Sequence, residues 1–388
     1  MISDATHISE AEKSALLEDL ALGEDYALTS EYVEMVVDAA DRGDGMRLRE
    51  LIAALHPADV ADLLGFLSGE HRDEVVPWLP PDVLAETLPE LDDNVREDVL
   101  ESIAPDALAE ALQELDSDDA TGIVEDLDDE QRRAVLAAMP DAERASLETA
   151  LGYAEDSAGR LMQREVMAAP QFWTVGHAID HMRGQGDDLP ELFFDIYVVD
   201  PSQRPIGAIP LSGLLRAQRN VMLSDLMEPI NEIAVDLEQE EVAYIFEKYH
   251  LISAPVIDAG GRLVGQITVD DIVNIIQEEN QEDMLALAGV TDAGRDADVG
   301  EVVRSRIPWL VVNLGTALIA STVIGLFQSQ IEQLVALAVL MPVVASIGGN
   351  AGTQALTVAV RAIAMREVSA ANGWRGGSRV RVHGSNAW

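Results

Sequence analysis

The residues best placed to do chemistry fall inside an apolar stretch. From Leu334 to Val360 the chain has no charged residue, yet Pro342, Gly348, Gly349, Asn350, Thr353 and Gln354 sit in its middle. A plain lipid-facing helix has no use for Pro, paired Gly, Asn and Gln at membrane depth. Irregular backbone is tolerated there mainly where it is buried in protein or lines a wet cavity. Pro342 lacks a backbone donor and Gly348-Gly349 is the freest backbone available, so the stretch is expected to break there. Exposed carbonyls and amides facing a lumen would meet a hydrated cation. Close helix packing through small residues is the other reading of the glycines. Covalent chemistry has no comparable foothold. There is no Cys, the seven His are scattered, and the HExxH, phosphate-loop and GxSxG patterns are missing, so an enzyme is not expected.

Membrane helices are the elements that must carry these residues. A second apolar run, Pro308 to Phe327, precedes the first and has Asn313 as its one strongly polar residue. Each run is long enough for a bilayer core, which takes roughly 20 residues. Gln328 to Gln333 joins them and contains one charge, Glu332. Arg304 and Arg306 lie before the pair, Arg361 and Arg366 after it. Basic residues mark the cytoplasmic side, which puts both ends inside and the connection outside. The acidic N-terminus has no apolar run, so no signal peptide is expected.

The 388 residues carry 70 acidic against 25 basic side chains, a net charge of −45. That surface repels nucleic acid and anionic lipid and concentrates cations. Solubilisation alone would explain much of the excess. Without Cys there are no disulfides, thiol catalysis or Cys-ligated metals.

Ahead of the membrane the chain divides by pattern. Residues 1–30 read as an acidic tail. From Glu31 helical faces begin, and Pro57, Pro81 and Pro105 recur at a spacing of 24, each opening an apolar i, i+3, i+4 face. Pro suits a first helical turn, and a fixed period of such faces means stacked helix pairs over 31–151. From Gly152 two βαββα-like units follow. Phe193–Val199 and Ile206–Ile209 are the strands of the first, Ala254–Ile257 and Leu263–Val269 those of the second. Asp270-Asp271 is expected to cap the helix after the last strand.

The segments LMQREVM, IYVVDPSQRPIG and LMEP…APVIDAGGRLVGQITVDDIV resemble a CBS-domain pair. With the solenoid ahead and MPVVASIGGNAGTQ behind, the order resembles the MgtE-type magnesium transporters over about residues 31–370. The fold class expected is therefore multidomain: an all-α solenoid, an α+β CBS pair (152–228 and 229–283), a connector region (284–307) interrupted at Gly289–Gly300, and α-helical transmembrane segments (308–366). The resemblance implies transport of Mg²⁺ across the cytoplasmic membrane, gated by Mg²⁺ on acidic cytosolic domains. It also implies a multi-pass protein in membrane lipid, with its N-terminal domains cytoplasmic, and a homodimer joined through CBS and membrane domains.

It further implies which carboxylates hold the regulatory ion: Glu86 and Asp118 on the solenoid, and Glu238, Glu240, Asp271, Glu279, Glu282 and Asp283 on the CBS side and connector. Mg²⁺ keeps several waters and takes few oxygen ligands, so it bridges two acidic faces without a close cage. A solvated helix face is the other reading of each single carboxylate. Gly122, Asn274 and His250 stand where the family more often has acids, which implies fewer or weaker sites. In the membrane, Asn313, Pro342, Gly348, Gly349, Asn350 and Gln354 would line the path. Gly265…Thr268-x-x-Asp271 keeps a pattern that holds the ribose of ATP or another adenine nucleotide, although Thr268 and Asp271 also suit a helix cap. The first unit has lost both polar positions, at Pro210 and Gly213.

Two features depart from the family. It has five membrane helices, two are legible here, and neither holds an Asp or Glu. From Val368 to Trp388 there is no acidic residue, and 367–388 reads as an aberrant basic tail from a frameshift. The alternative function is then a truncated, non-conducting fragment that keeps the cation-sensing domains.

Overall fold

A computed structural model describes residues 17, 20–23, 26–184, 189–190, 192–288 and 299–364. Most of the 1–30 tail, most of Gly289–Gly300, Arg366 and the basic tail lie outside the described residues. The chain forms two units, divided after Glu279.

The first unit begins with helices α1 (Ser30–Asp41) and α2 (Gly45–Ile52). Helix pairs follow: α3 (Pro57–Phe66) and α4 (Gly69–Val75), α5 (Pro81–Thr87) and α6 (Asp93–Ser102), α7 (Pro105–Ala111) and α8 (Ser117–Asp126), α9 (Asp129–Ala138) and α10 (Asp141–Ala150). Proline opens α3, α5 and α7 where a missing N–H has no cost. Two positions of each of the first three pairs recur in the core: Val60, Leu84 and Leu108 are buried, as are Leu64, Leu88 and Leu112. No pair buries its own face, so the stack has one continuous core that includes Val135 and Met139 of the fourth. That fourth pair has no proline signal. Asp129 stands where the earlier pairs have proline, and the carboxylate of Asp128 before it caps α9 by accepting from Glu130 N and Gln131 N.

The same unit continues through α11 (Ala158–Leu161) into two sheets of identical topology. Strands β1 (Ala168–Pro170), β2 (Asp195–Val199) and β3 (Pro205–Pro210) form the first, with α12 (Val175–Gly184) between β1 and β2. After α13 (Leu211–Arg216) and α14 (Leu223–Leu226), strands β4 (Ile233–Ala234), β5 (Ser253–Ile257) and β6 (Leu263–Thr268) form the second, with α15 (Gln239–Tyr249) between β4 and β5. In each sheet the outer pairing is parallel, the hairpin antiparallel, and the register slips at the hairpin end, at Val198/Val199 and at Val256/Ile257. Gly207 and Gly265 occupy equivalent places. A Cβ on Gly265 would come 2.6 Å from Gln163 O, and one on Gly207 2.9 Å from the Met227 side chain. Close approach, not a turn, is why both are glycine.

The helices after the hairpins differ. α16 runs from Val269 to Ala288, whereas α13 ends after six residues. Just before α16 the Thr268 hydroxyl donates to Asp271 Oδ2 at 2.9 Å, and the Thr268 backbone N–H bonds the same carboxylate. Asp271 thus reaches back over the helix start, as the acidic member of a capping box does. Pro210, at the matching place, makes no side-chain cap.

The second unit contains α17 (Val299–Leu326), α18 (Gln328–Gln333) and α19 (Val335–Ala364). Among the described residues two segments are long and apolar enough to cross a membrane, Ile307–Leu326 and Val339–Val360. The expected break in the second is not found. α19 is continuous through Pro342, Gly348 and Gly349. Proline removes one ladder bond at about 3 kcal/mol and each glycine costs about 1 kcal/mol, too little to interrupt a helix whose flanks each gain a bond per residue. The 328–333 connection is likewise a helical turn and not an open loop.

Candidate functional site

The third solenoid pair breaks the repeat where it meets the CBS domains. In the first two pairs an arginine stands in the first turn of the second helix and ties neighbouring pairs together. Arg72 Nη1 reaches Asp98 at 2.7 Å and Arg96 Nε reaches Asp126 at 2.6 Å, and each also donates to the carbonyl before its helix, of Leu67 and Leu91. Arg144 repeats the position in the fourth pair, but the third has Ala120, buried, after the acidic run Asp116-Ser117-Asp118-Asp119. α8 therefore begins with unneutralised carboxylates.

Those carboxylates face the start of α16, which also opens with acids, Asp270 and Asp271. A cleft of about 280 Å³ lies between the two helices, lined among others by Asp118, Asp119, Asp271, Asn274 and Glu278, and by Arg96 and Arg160, whose guanidiniums are paired with Asp126 and Glu125. Both helix N-termini favour negative charge through their dipoles, which explains how the acids are tolerated but not how they are balanced. Among the described residues no Arg or Lys pairs with Asp118, Asp119 or Asp271. Burial, then the charge of Asp271 and of neighbouring aspartates, pushes the Asp118 carboxyl well above its usual range. The same causes push Asp119 up to about 7. Burial and Asp270 push Asp271 up to about 6, against the lowering effect of its Thr268 hydrogen bonds. Carboxylates clustered and raised in this way form a site whose negative charge a bound cation would stabilise.

Beside the cleft the two domains are latched. Arg160 of α11 pairs with Glu125 of α8 at 2.9 Å and donates to the carbonyls of Leu151 at 3.0 Å and Tyr153 at 2.6 Å. Its Nε is buried with no hydrogen-bond partner. Ser117 Oγ donates to Glu165 Oε2 and accepts from Arg164 N, both at 2.8 Å. Gln266 Nε2 in turn donates to Glu165 O and Gln163 Oε1, both at 2.9 Å, joining the latch to β6.

Of the acids expected to bind metal, the structure brings Asp118 and Asp271 together in this cleft. Glu86 is exposed on α5 and does not line it. Glu238 and Glu240 are exposed at the start of α15, and that end is held against α16 by Gln239 Nε2 donating to Glu279 Oε1 at 3.1 Å. Glu282 and Asp283 lie on α16, with side chains outside the described set. Gly122 and Asn274 both line the cleft, which limits its oxygen donors. Among the described residues no three acidic or imidazole groups converge as a ready cage. The donor set is hard oxygen and partly buried, the ligand type that Mg²⁺ takes. Sequence reasoning missed Asp116, Asp119, Asp270 and Glu90, all of which act on these titrations. The missing arginine at Ala120 was the signal available.

Thr268 and Asp271, the two polar positions of the ribose pattern, are hydrogen-bonded to one another at 2.9 Å. In the membrane segments Asn313, Pro342, Gly348, Gly349, Asn350 and Gln354 are all exposed, and the Gly349 carbonyl accepts from the Thr353 hydroxyl at 3.1 Å.

A helical solenoid latched to a CBS pair across a carboxylate cleft, followed along the chain by two helices long and apolar enough to cross a membrane, is a multidomain architecture of distinctive parts. Comparison with known proteins makes this particular. The family profile of the MgtE intracellular N domain matches residues 55–156, and that of the CBS domain residues 223–278. The chain is 34% identical to the magnesium transporter MgtE of Thermus thermophilus over 352 residues, covering 87% of this chain and 76% of that one. It is 30% identical to magnesium transporter MgtE of Bacillus subtilis, covering 65% and 56%. Among solved structures it is similar to the cytosolic domain of the Mg²⁺ channel MgtE in complex with ATP, at 32% identity and TM-score 0.59, covering 63% of this chain and 99% of that one. The chain belongs to the MgtE magnesium transporter family. It spans about three quarters of the Thermus relative and little more than half of the Bacillus one.

Proposed function

We propose that this chain carries Mg²⁺ across the cytoplasmic membrane and that the cleft between α8 and α16 senses the ion. The observation that carries the reading is the set of Asp118, Asp119 and Asp271, gathered on facing helix starts with raised pKa values and no basic partner. At low Mg²⁺ the faces repel and part. At high Mg²⁺ hydrated ions bridge them, and the cation's greater affinity for the closed arrangement shifts the population. Glu238, Glu240 and Glu279 supply a second acidic place at the start of α15, with Glu282 and Asp283 further along α16. Glu86 is the weakest of the ligands by its exposure.

The membrane helices supply the path, with Asn313, Asn350 and Gln354 turned to hydrated ion and the carbonyls at Pro342, Gly348 and Gly349 beside them. A homodimer in the lipid bilayer, joined through the CBS and membrane domains, is part of this reading. ATP is the ligand of the similar solved domain; in this chain an adenine nucleotide would have to draw Thr268 and Asp271 out of their mutual hydrogen bond. Mg²⁺ uptake by the full chain in cells lacking other Mg²⁺ importers tests the reading. Uptake that Asn350→Leu abolishes is the expected result, and no uptake above empty-vector cells would refute it.

The orientation has its own check. Arg304 and Arg361 belong on the cytoplasmic side and Glu332 outside. A reporter fused after Gln330 is expected to be active only in its periplasmic or extracellular form, and cytoplasmic activity would reverse the assignment.

A further inference from the structure

Away from the acidic cleft the first CBS unit carries a different kind of donor. His177 and His181 stand at i and i+4 on α12, so their side chains share one face. Both rings lie against one indole. The His177 centroid is 4.4 Å and the His181 centroid 4.9 Å from that of Trp173. The first turn is fixed by His177 N donating to the Thr174 hydroxyl at 3.2 Å, by Val175 N on Val221 O at 2.9 Å, and by Gly176 N on Arg219 O at 2.8 Å. His177 is exposed and His181 half-buried, so both are open to solvent.

The chemistry of this pair is opposite to that of the cleft. The nearest carboxylate on the helix, Asp180, is bound at both oxygens by Arg219 Nη2 at 2.6 Å and held below the usual carboxylate range by that guanidinium. Its charge is committed, and the free donors are two imidazole nitrogens. Imidazole suits zinc, copper and nickel, whereas Mg²⁺ asks for oxygen. Two His one helical turn apart on one face is the spacing by which helices hold zinc. The strongly acidic surface raises the local concentration of every cation, and the ligand type then sorts them.

We propose that His177 and His181 form a two-nitrogen site for a borderline divalent transition metal, Cu²⁺, Ni²⁺ or Zn²⁺, on the first CBS domain, separate from the Mg²⁺ cleft. Water completes the coordination, and Trp173 fixes the rings and reports on the ion. The site does not depend on the transport reading.

The test uses the full chain in detergent, with one equivalent of Cu²⁺ in the presence of millimolar Mg²⁺ to occupy carboxylates. The expected result is an electron paramagnetic resonance signal with splitting from two imidazole nitrogens, together with partial quenching of tryptophan fluorescence. His177→Gln and His181→Gln should each remove the two-nitrogen pattern and weaken binding by about tenfold or more. Trp173→Phe should keep the binding and lose the quenching. His250→Gln, on another helix end, should change nothing, and equal thermal melting of the variants confirms that they are folded. A two-nitrogen Cu²⁺ pattern that survives in the His177→Gln/His181→Gln chain, or the absence of that pattern in the native chain, overturns the proposal.

Discussion

Lowering the pH should stabilise the cytosolic unit when Mg²⁺ is absent, and Mg²⁺ should abolish that dependence. Asp119 and Asp271 titrate near 7 and 6 in the folded protein, and Asp118 is raised as well. Unfolded aspartates titrate near about 3.9. Between those limits the folded state holds more protons than the unfolded one, so stability falls as pH rises from about 4 through about 7. The destabilisation is complete above that window, where three ionised carboxylates crowd one cleft. Mg²⁺ needs them ionised, so binding near pH 6.5 should release protons and raise the melting temperature, and the gain should vanish near pH 5. K⁺ at equal ionic strength should not substitute. Asp118→Asn/Asp271→Asn should be more stable than the native chain without Mg²⁺, because like charges are removed from the same shape. It should also lose the Mg²⁺-dependent gain and the protease resistance that accompanies it. A native chain whose melting temperature is indifferent to pH between 5 and 7.5, or a double variant that keeps the full Mg²⁺ response, would exclude this cleft as the sensor.

The second large effect is expected at Arg160. This side chain is 11% exposed and holds Glu125 together with the carbonyls of Leu151 and Tyr153. Arg160→Met fills the volume but leaves a half-buried carboxylate and two carbonyls without their donor. Breaking such a pair from one side should cost about 3 kcal/mol, the lower end for buried pairs because Glu125 is 34% exposed. The position of α8 relative to α16 would loosen with it. Mg²⁺ should then bind more weakly although every carboxylate remains, since part of the binding energy must re-form the cleft. Glu125→Gln/Arg160→Met should recover part of the stability, because neither charge is left alone. Denaturant unfolding with Mg²⁺ titration measures both quantities. An Arg160→Met chain of native stability would show that the latch is ornamental.

The sequence by itself determined the parts that repeat. Pro57, Pro81 and Pro105 with their apolar faces fixed a stack of helix pairs, because a period of 24 with helical spacing has few other solutions. The paired hairpins and the uncharged runs gave the CBS units and the membrane helices for the same reason: local pattern and burial agree. The continuity of α19 was not legible, since Pro342 and Gly348-Gly349 read locally as a break while the bonds gained along thirty residues outweigh them. The fourth helix pair was hidden because Asp129 stands where proline marked the others. The cleft was decided by tertiary structure alone. The one local hint at Asp118 was Ala120, standing where the repeat elsewhere has arginine; in composition Asp118 is otherwise like the many solvated aspartates around it. Only the packing of α8 against α16, set by the Arg160 and Ser117 contacts, brings Asp271 within reach of Asp118 and Asp119. Charge repulsion depends on distances that a single sequence does not contain, whereas periodicity is written along the chain.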